Sequence, residues 1–221
     1  YHNYKACFSF NSYKHYNDFR IKKDLISITG ILDDHIFNNI QLTKTFYEFD
    51  LLNHLAYNIK SNGVAIDVGA NIGNHSVFFG KYISKKVVSI EPGLKFQKLL
   101  MTNLSDNLPK HKFVICNKGA GKDTREANLT YPNEKNLGQA KVCNNSEGYK
   151  HKILIDTLDN IMNDLKIIDQ INLIKIDVEG MDLDVLKGAK KLIKKYRPDI
   201  IIEASVSSEL EKIKKLLNQY H

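Results

Sequence analysis

An α/β architecture, a mostly parallel sheet with helices on both faces, is predicted by three features of the 221-residue chain. Strand-length apolar runs alternate with amphipathic stretches of about ten to fifteen residues, the pattern of right-handed βαβ units. The first of these runs ends in a glycine turn, Gly69-Ala70-Asn71-Ile72-Gly73. The next ends in an acid, Glu91, twenty-two positions after Gly69. Ligands of such sheets sit beyond the carboxyl ends of the strands, where both features fall.

The elements follow in order. Residues 1–24 are polar, rich in Tyr and Asn, and show no clear period. Leu25–Gly30 and Ile36–Leu42 read as short strands interrupted by Gly30 and Asp33-Asp34. Phe46, Phe49, Leu52, Leu55, Ala56 and Ile59 recur at helical steps, and Asn62-Gly63 ends that helix. Strands are then expected over residues 64–68, 87–90, 112–116, 152–155, 171–178 and 199–203. The helices between and after them span 73–82, 94–104, 157–165, 183–196 and 207–220. Residues 117–150 are the least regular, with a hairpin expected around 127–131 and 139–143. This divides the chain into a lead-in with short strands, residues 1–44, and a main domain, residues 45–221.

Composition narrows the class. With 43% hydrophobic residues the chain can bury a sizeable core, and 26% charged residues is ordinary for a globular protein. No apolar run approaches the length of about 18 residues that a membrane-spanning helix needs. The sequence opens on Tyr1 rather than Met, and residues 1–18 lack a signal-peptide layout, so the start is read as a boundary within a longer chain. Three scattered cysteines, Cys7, Cys116 and Cys143, form no Cys-x-x-Cys pair and no disulfide framework, which points to a reducing, cytoplasmic setting. The net charge of +7 raises the question of nucleic acid. Its lysines, however, sit in scattered pairs at the ends of apolar segments, as on solvated helix ends.

The glycine turn discriminates among nucleotide-like ligands. It lacks the Gly-Lys-Ser/Thr of a P-loop, and Asn71 and Asn74 interrupt a dinucleotide fingerprint. S-adenosyl-L-methionine (SAM) has no phosphate to cradle and suits a turn of this kind. Asp67, at the end of the preceding strand, offers acceptors near the amino-acid part. Glu91 stands at the spacing of an acid that accepts both ribose hydroxyls, and its alternative is a helix-start acid. His75 is read as a first-turn helix residue or a contact to the SAM carboxylate.

The second dense block is Lys175-Ile176-Asp177-Val178-Glu179-Gly180. Strand alternation is expected to put Lys175, Asp177 and Glu179 on one side, with two carboxylates at the end of a central strand. Such a pair serves as a general base for a hydroxyl or holds a divalent cation. Its bland alternative is a cap on the next helix, and Asp182 is read that way.

Asp67–Ser76 with Ile90-Glu91-Pro92, Thr157-Leu158-Asp159, Leu173–Gly180 and Pro198–Glu203 together resemble the FkbM family of SAM-dependent methyltransferases over residues 46–205. The resemblance implies a class I, Rossmann-like methyltransferase fold and methylation of a hydroxyl on a sugar, glycan or natural product. It also implies two further C-terminal strands that this sequence lacks, so strand 199–203 is expected at an exposed edge. A truncated chain or a second subunit over that edge are the two explanations. Asp182 stands where the family commonly has Glu.

The reading is an O-methyltransferase whose cofactor site comprises Asp67, Gly69, Asn71, Gly73, His75, Glu91, Lys118 and Ala120, with adenine against the turn at 117–120. Asp177 or Glu179 takes the hydroxyl proton and Lys175 orients them; no metal is expected, and a metal-assisted variant ranks second. The alternatives are an RNA 2′-hydroxyl methyltransferase and a SAM-binding module without catalysis. The base-methylating Asn/Asp-Pro-Pro-aromatic motif is absent from Asp177-Val178-Glu179-Gly180, which makes nucleic acid the weaker acceptor.

Overall fold

The computed structural model describes residues 5–14, 22–59, 62–130, 141–143, 150–204 and 207–220. The chain begins with strands β1 (Lys5–Lys14) and β2 (Lys22–Ile31), followed by helices α1 (His35–Thr43) and α2 (Phe49–Asn58). Then come β3 (Val64–Val68), α3 (Asn74–Phe78), β4 (Lys86–Ile90), α4 (Leu94–Asn107), β5 (Phe113–Cys116), β6 (Gly119–Ala120), β7 (Arg125–Thr130) and β8 (Lys141–Cys143). The chain continues through β9 (Lys150–Asp156), α5 (Leu158–Asp164), β10 (Ile171–Ile176), α6 (Asp182–Lys187), α7 (Lys190–Tyr196), β11 (Asp199–Ile202) and α8 (Ser207–Asn218).

Five parallel strands in the order β11-β10-β3-β4-β5 form the central sheet. Its middle strand, Val-Ala-Ile-Asp-Val, is buried along its whole length, as expected of a strand covered on both faces. Alternation sends Ala65, Val87 and Leu173 to a core shared with the β1–β2 hairpin, α2, α3 and α4. Val64, Ile66, Val88 and Ile174 face a second core built by α5, α6, α7 and α8. A smaller mixed sheet, β6-β9-β7-β8, closes over a third cluster of Ala127, Leu129, Ile153 and Ile155. Among the described residues, β11 pairs with β10 alone, and no helix is long and apolar enough to cross a membrane.

Several expectations are corrected. Residues 36–42 form a helix, not a strand: the Asp34 carboxylate caps α1 by accepting from the Phe37 N–H at 3.1 Å, and Phe37 and Ile40 bury one face. The stretch without a clear period supplies β1, which pairs with β2 from Lys5↔Ile31 to Lys14↔Lys22. The expected hairpin is β7 with β8, joined at Asn128↔Cys143; Tyr131, Gln139 and Ala140 lie outside the described residues. The single helix expected over 183–196 is two. Asp159 accepts from the Lys191 and Leu192 N–H groups, starting α7 afresh, and Gly188 lies against the Gly121 carbonyl where a side chain would collide.

The hairpin is tied to the main sheet by α4 amides. Asn103 accepts from Thr29 N at 2.7 Å and donates to Thr29 O at 2.9 Å; Asn107 does the same for Ser27 at 3.0 and 2.7 Å. The two side chains thus stand in for a missing strand along β2. Asn103, fully buried, also donates to Ile72 O in the glycine turn at 2.7 Å. Asn103→Ala strands three backbone groups, each costing about 1–3 kcal/mol unpaired, so a loss of about 2–4 kcal/mol is expected in urea unfolding.

Candidate active site

The carboxyl ends of the central strands open on a cavity of about 710 Å³. Its base is the glycine turn after β3, where Gly69, Asn71 and Gly73 take positive φ of 79°, 51° and 91°. A Cβ on Gly69 would collide with the Asp177 carbonyl oxygen, so the turn lies against the exit of β10 as only glycine permits. Gly69 and Ala70 donate to Ile90 O at 3.0 and 3.1 Å, pinning the turn to the end of β4.

Glu91 follows β4 and accepts from Asn71 N at 2.9 Å and Gly93 N at 2.7 Å. Both carboxylate oxygens keep lone pairs for further donors. Burial pushes its pKa up to about 7, against the opposing pull of those two N–H groups. Asn71 Oδ1, also at the cavity, is buried with no hydrogen-bond partner among the described residues.

On the other side lies a row set by strand register. Lys175 stands opposite Asp67, and Asp67 opposite Ser89. The Lys175 ammonium is 3.0 Å from Asp177 Oδ2 and 3.6 Å from Asp67 Oδ1. Ser76 of α3 donates to Asp67 Oδ2 at 2.6 Å, and Ser89 to Ser76 at 2.7 Å. Burial works against the Lys175 charge, but Asp67 and Asp177 outweigh it and raise its pKa. Asp177 is likewise opposed by burial and held low by Lys175.

Of the residues expected to hold a cofactor, Gly69, Asn71, His75, Glu91 and Ala120 line the cavity; Asp67, Gly73 and Lys118 do not. Asp67 Oδ2 accepts from Ser76, and Oδ1 faces the Lys175 ammonium at ion-pair distance. The Lys118 ammonium donates to Asp156 at 2.8 Å and Asp164 at 3.0 Å, contacts that raise its pKa. Lys175, Asp177 and Glu179 all reach the cavity, but not as one strand face. β10 ends at Ile176, and the Asp182 carboxylate accepts from Val178 N and Gly180 N, both at 3.3 Å. Those bonds hold a turn in which Glu179 has φ 48° and is exposed. The acid beside Asp177 is instead Glu203, past the end of β11, and each of the two shifts the other's pKa.

Other groups were missed in the sequence. Asn74 accepts from Tyr47 N at 3.0 Å and donates to Tyr47 O at 3.1 Å, fixing the α1–α2 loop. That places Glu48 Oε2 3.0 Å from His75 Nε2, and the His75 contact lowers the Glu48 pKa. Lys175 is the one Lys or Arg among the described cavity residues, against Asp33, Asp34, Glu48, Glu91, Asp177, Glu179 and Glu203. Among the described residues, no group of three or more His, Cys, Asp and Glu side chains is arranged to hold a metal ion.

A family model described as the methyltransferase FkbM domain matches residues 67–220. The chain is 31% identical over 162 residues to methyltransferase sdnD of Sordaria araneosa, covering 59% of this chain and 62% of that protein. It is 26% identical over 163 residues to the AMB antimetabolite synthetase AmbE of Pseudomonas aeruginosa, covering 58% of this chain and 8% of that protein. It therefore spans less than two thirds of the length of either relative. The crystal structure of methyltransferase FkbM from Methylobacillus flagellatus KT superposes with a TM-score of 0.54 at 22% identity, over 75% of this chain and 40% of that one. The fold is that of class I methyltransferases.

Gly69→Ala is expected to force the turn away from β10. A strained positive φ and a backbone collision together should cost about 2 kcal/mol or more, lowering the Tm by about 4–8 °C in a chain of this size by circular dichroism.

Proposed function

The chain belongs to the FkbM methyltransferase family, and on that premise we propose that it is a SAM-dependent O-methyltransferase acting on a hydroxyl of a sugar, glycan or natural product. The observation that carries this reading is the glycine turn set between Glu91 on one side and the Lys175–Asp177 pair on the other. SAM supplies an electrophilic methyl group on a sulfonium. The residues present fit it: an acid with lone pairs to spare and an unpartnered Asn71 Oδ1, both at the cavity.

Glu91 and Asn71 would accept hydrogen bonds from the ribose. Gly119 and Ala120, with Leu129 and Ile155, offer a mostly apolar wall for adenine. His75, held by Glu48, would meet the carboxylate. Asp67 acts from behind, holding Lys175 charged, and Lys175 keeps Asp177 an anion beside the acceptor hydroxyl. Glu179, in the exposed turn, would contact the acceptor from its edge. Positioning then supplies much of the rate, since in-line displacement needs the reacting atoms held together.

The acid-lined cavity supports a neutral or cationic acceptor over a phosphate-rich one, because phosphates bind through Lys and Arg. One relative is named as an antimetabolite synthetase, which supports a natural-product acceptor. The sparse cysteines support a cytoplasmic setting.

Calorimetry should show binding of SAM and not of NAD or ATP; preference for NAD would overturn the reading. Glu91→Ala should weaken SAM binding by about 1.5–3 kcal/mol for each charged hydrogen bond lost. Because burial holds the empty Glu91 near pKa 7 and the carboxylate is the better acceptor, SAM affinity should rise with pH through about 7 and level off above it. Affinity that is flat from pH 6 to 8 would show that Glu91 is not the ribose acceptor. Asp177→Asn should keep the fold and SAM binding while methyl transfer falls by about 10²–10⁴-fold. A radiolabelled-SAM panel of glycans, natural-product alcohols and structured RNA identifies the acceptor; labelling of RNA alone would overturn the acceptor class.

A further inference from the structure

We propose that Glu203, at the exit of β11, is the catalytic base, and that Asp177 beside it shares the one proton it takes from the acceptor. The inference rests on the methyltransferase reading of the site and assigns the destination of the acceptor's proton.

The geometry comes from the sheet. β10 and β11 run parallel with Ile176 opposite Ile202, and Glu203 N donates to Ile176 O at 3.3 Å, carrying the ladder one residue further. The next side chains, Asp177 and Glu203, therefore emerge side by side, and both line the cavity. They are not equivalent. Asp177 has the Lys175 ammonium 3.0 Å from Oδ2, whereas the groups acting most strongly on Glu203 are acids. Its surroundings are Asp177, Glu179 and Asp182 from β10's exit and the α6 start. Tyr47 and Glu48 of the α1–α2 loop and His75 of α3 also act on the pair. The neighbouring Asp177 charge, then burial, raise the Glu203 pKa, while Lys175 outweighs burial and lowers that of Asp177. Two neighbouring carboxyls that interact strongly titrate as a pair. The member pinned by an ammonium is the poorer base, and the member beside an anion the better one.

In the reaction, the acceptor oxygen forms a bond to the methyl carbon as the carbon–sulfur bond breaks. The electron pair of that bond stays on sulfur, and the hydroxyl proton passes to the Glu203 carboxylate. A hydroxyl, a sulfonium and a carboxylate become an ether, a thioether and a carboxylic acid, so charge and atoms balance. Asp177 stabilises the new acid by accepting a hydrogen bond from it.

The test uses the full chain in two ways. Carboxyl-¹³C NMR of glutamate-labelled protein should show one signal, absent in Glu203→Gln, that titrates above the ordinary glutamate range. Asp177→Asn should return it to that range while the Glu91 signal stays high. A Glu203 signal in the ordinary range, or one unmoved by Asp177→Asn, overturns the pair. With the acceptor found by the panel, Glu203→Gln should lower kcat by about 10²–10⁴-fold, remove the rise of rate with pH, and leave the Kd for SAM unchanged; Glu203→Asp should restore part of the rate. Glu203→Gln with the native rate and pH profile overturns the base assignment. Failure of the native chain to bind SAM counts against the methyltransferase reading instead, and the NMR titration decides the pair without it.

Discussion

The buried ammonium of Lys175 is the interaction on which the site depends. An unpaired charge at that depth would be lost by deprotonation. Asp67 behind it and Asp177 in front keep it. Neither position is free to vary, because the parallel register sets Lys175 opposite Asp67 and Asp67 opposite Ser89. Ser76 reaches that row from α3, so the helix that follows the glycine turn is anchored to the same charges. Taking one partner from a buried pair strands the other, at a cost of about 3–5 kcal/mol. The turn, the first turn of α3 and the exit of β10 are therefore placed by one polar row.

The parts legible in the sequence are those whose signal is local. β3, β4, β10 and β11 are short apolar runs bounded by charge or turn residues, and the glycine turn and Glu91 are fixed by spacing along the chain. What was not legible depends on partners far away in sequence. Lys118 in isolation offers a cation to the crevice; Asp156 and Asp164, thirty-eight and forty-six residues on, take it elsewhere. Glu203 next to Asp177 follows only once β11 is known to lie beside β10 in register. Glu179 was misplaced by a local cause, since alternation was carried two residues past the end of β10 into a turn that the Asp182 carboxylate holds. The Asp34 cap on α1 is legible in principle, as an acid just ahead of Ile36, Phe37 and Ile40, but Asp33-Asp34 suits a break between strands equally well until the Phe37 N–H is seen to meet it.

The N-terminal segment is part of the site's wall. Asn74, in the glycine turn's helix, clasps the Tyr47 backbone, and Asn103 joins Thr29 to Ile72. Both asparagines are buried, at 3% and 0% exposure, so their hydrogen bonds are shielded from water and leave little slack. Through them the hairpin and the α1–α2 loop set the height of the turn and the position of Glu48 against His75. The turn is held from three directions: β4 by backbone bonds, the exit of β10 by contact at Gly69, and the N-terminal segment by these amides.

The sign of the charge inside the cavity is opposite to that of the chain. The whole carries +7, yet among the described residues one lysine lines the cavity, and it is bound by two acids. Long-range attraction by the basic exterior would gather polyanions, but it is screened within about 10 Å at 0.1 M salt. At contact distance the carboxylates that line the cavity are the nearer charges, and such a lining attracts cations and repels phosphate. A nearby anion also makes each remaining carboxylate a stronger base, so the acids that exclude phosphate prepare Glu203 to receive a proton. Selection and proton transfer then draw on one set of charges, whose arrangement is inherited from the register of β3, β10 and β11.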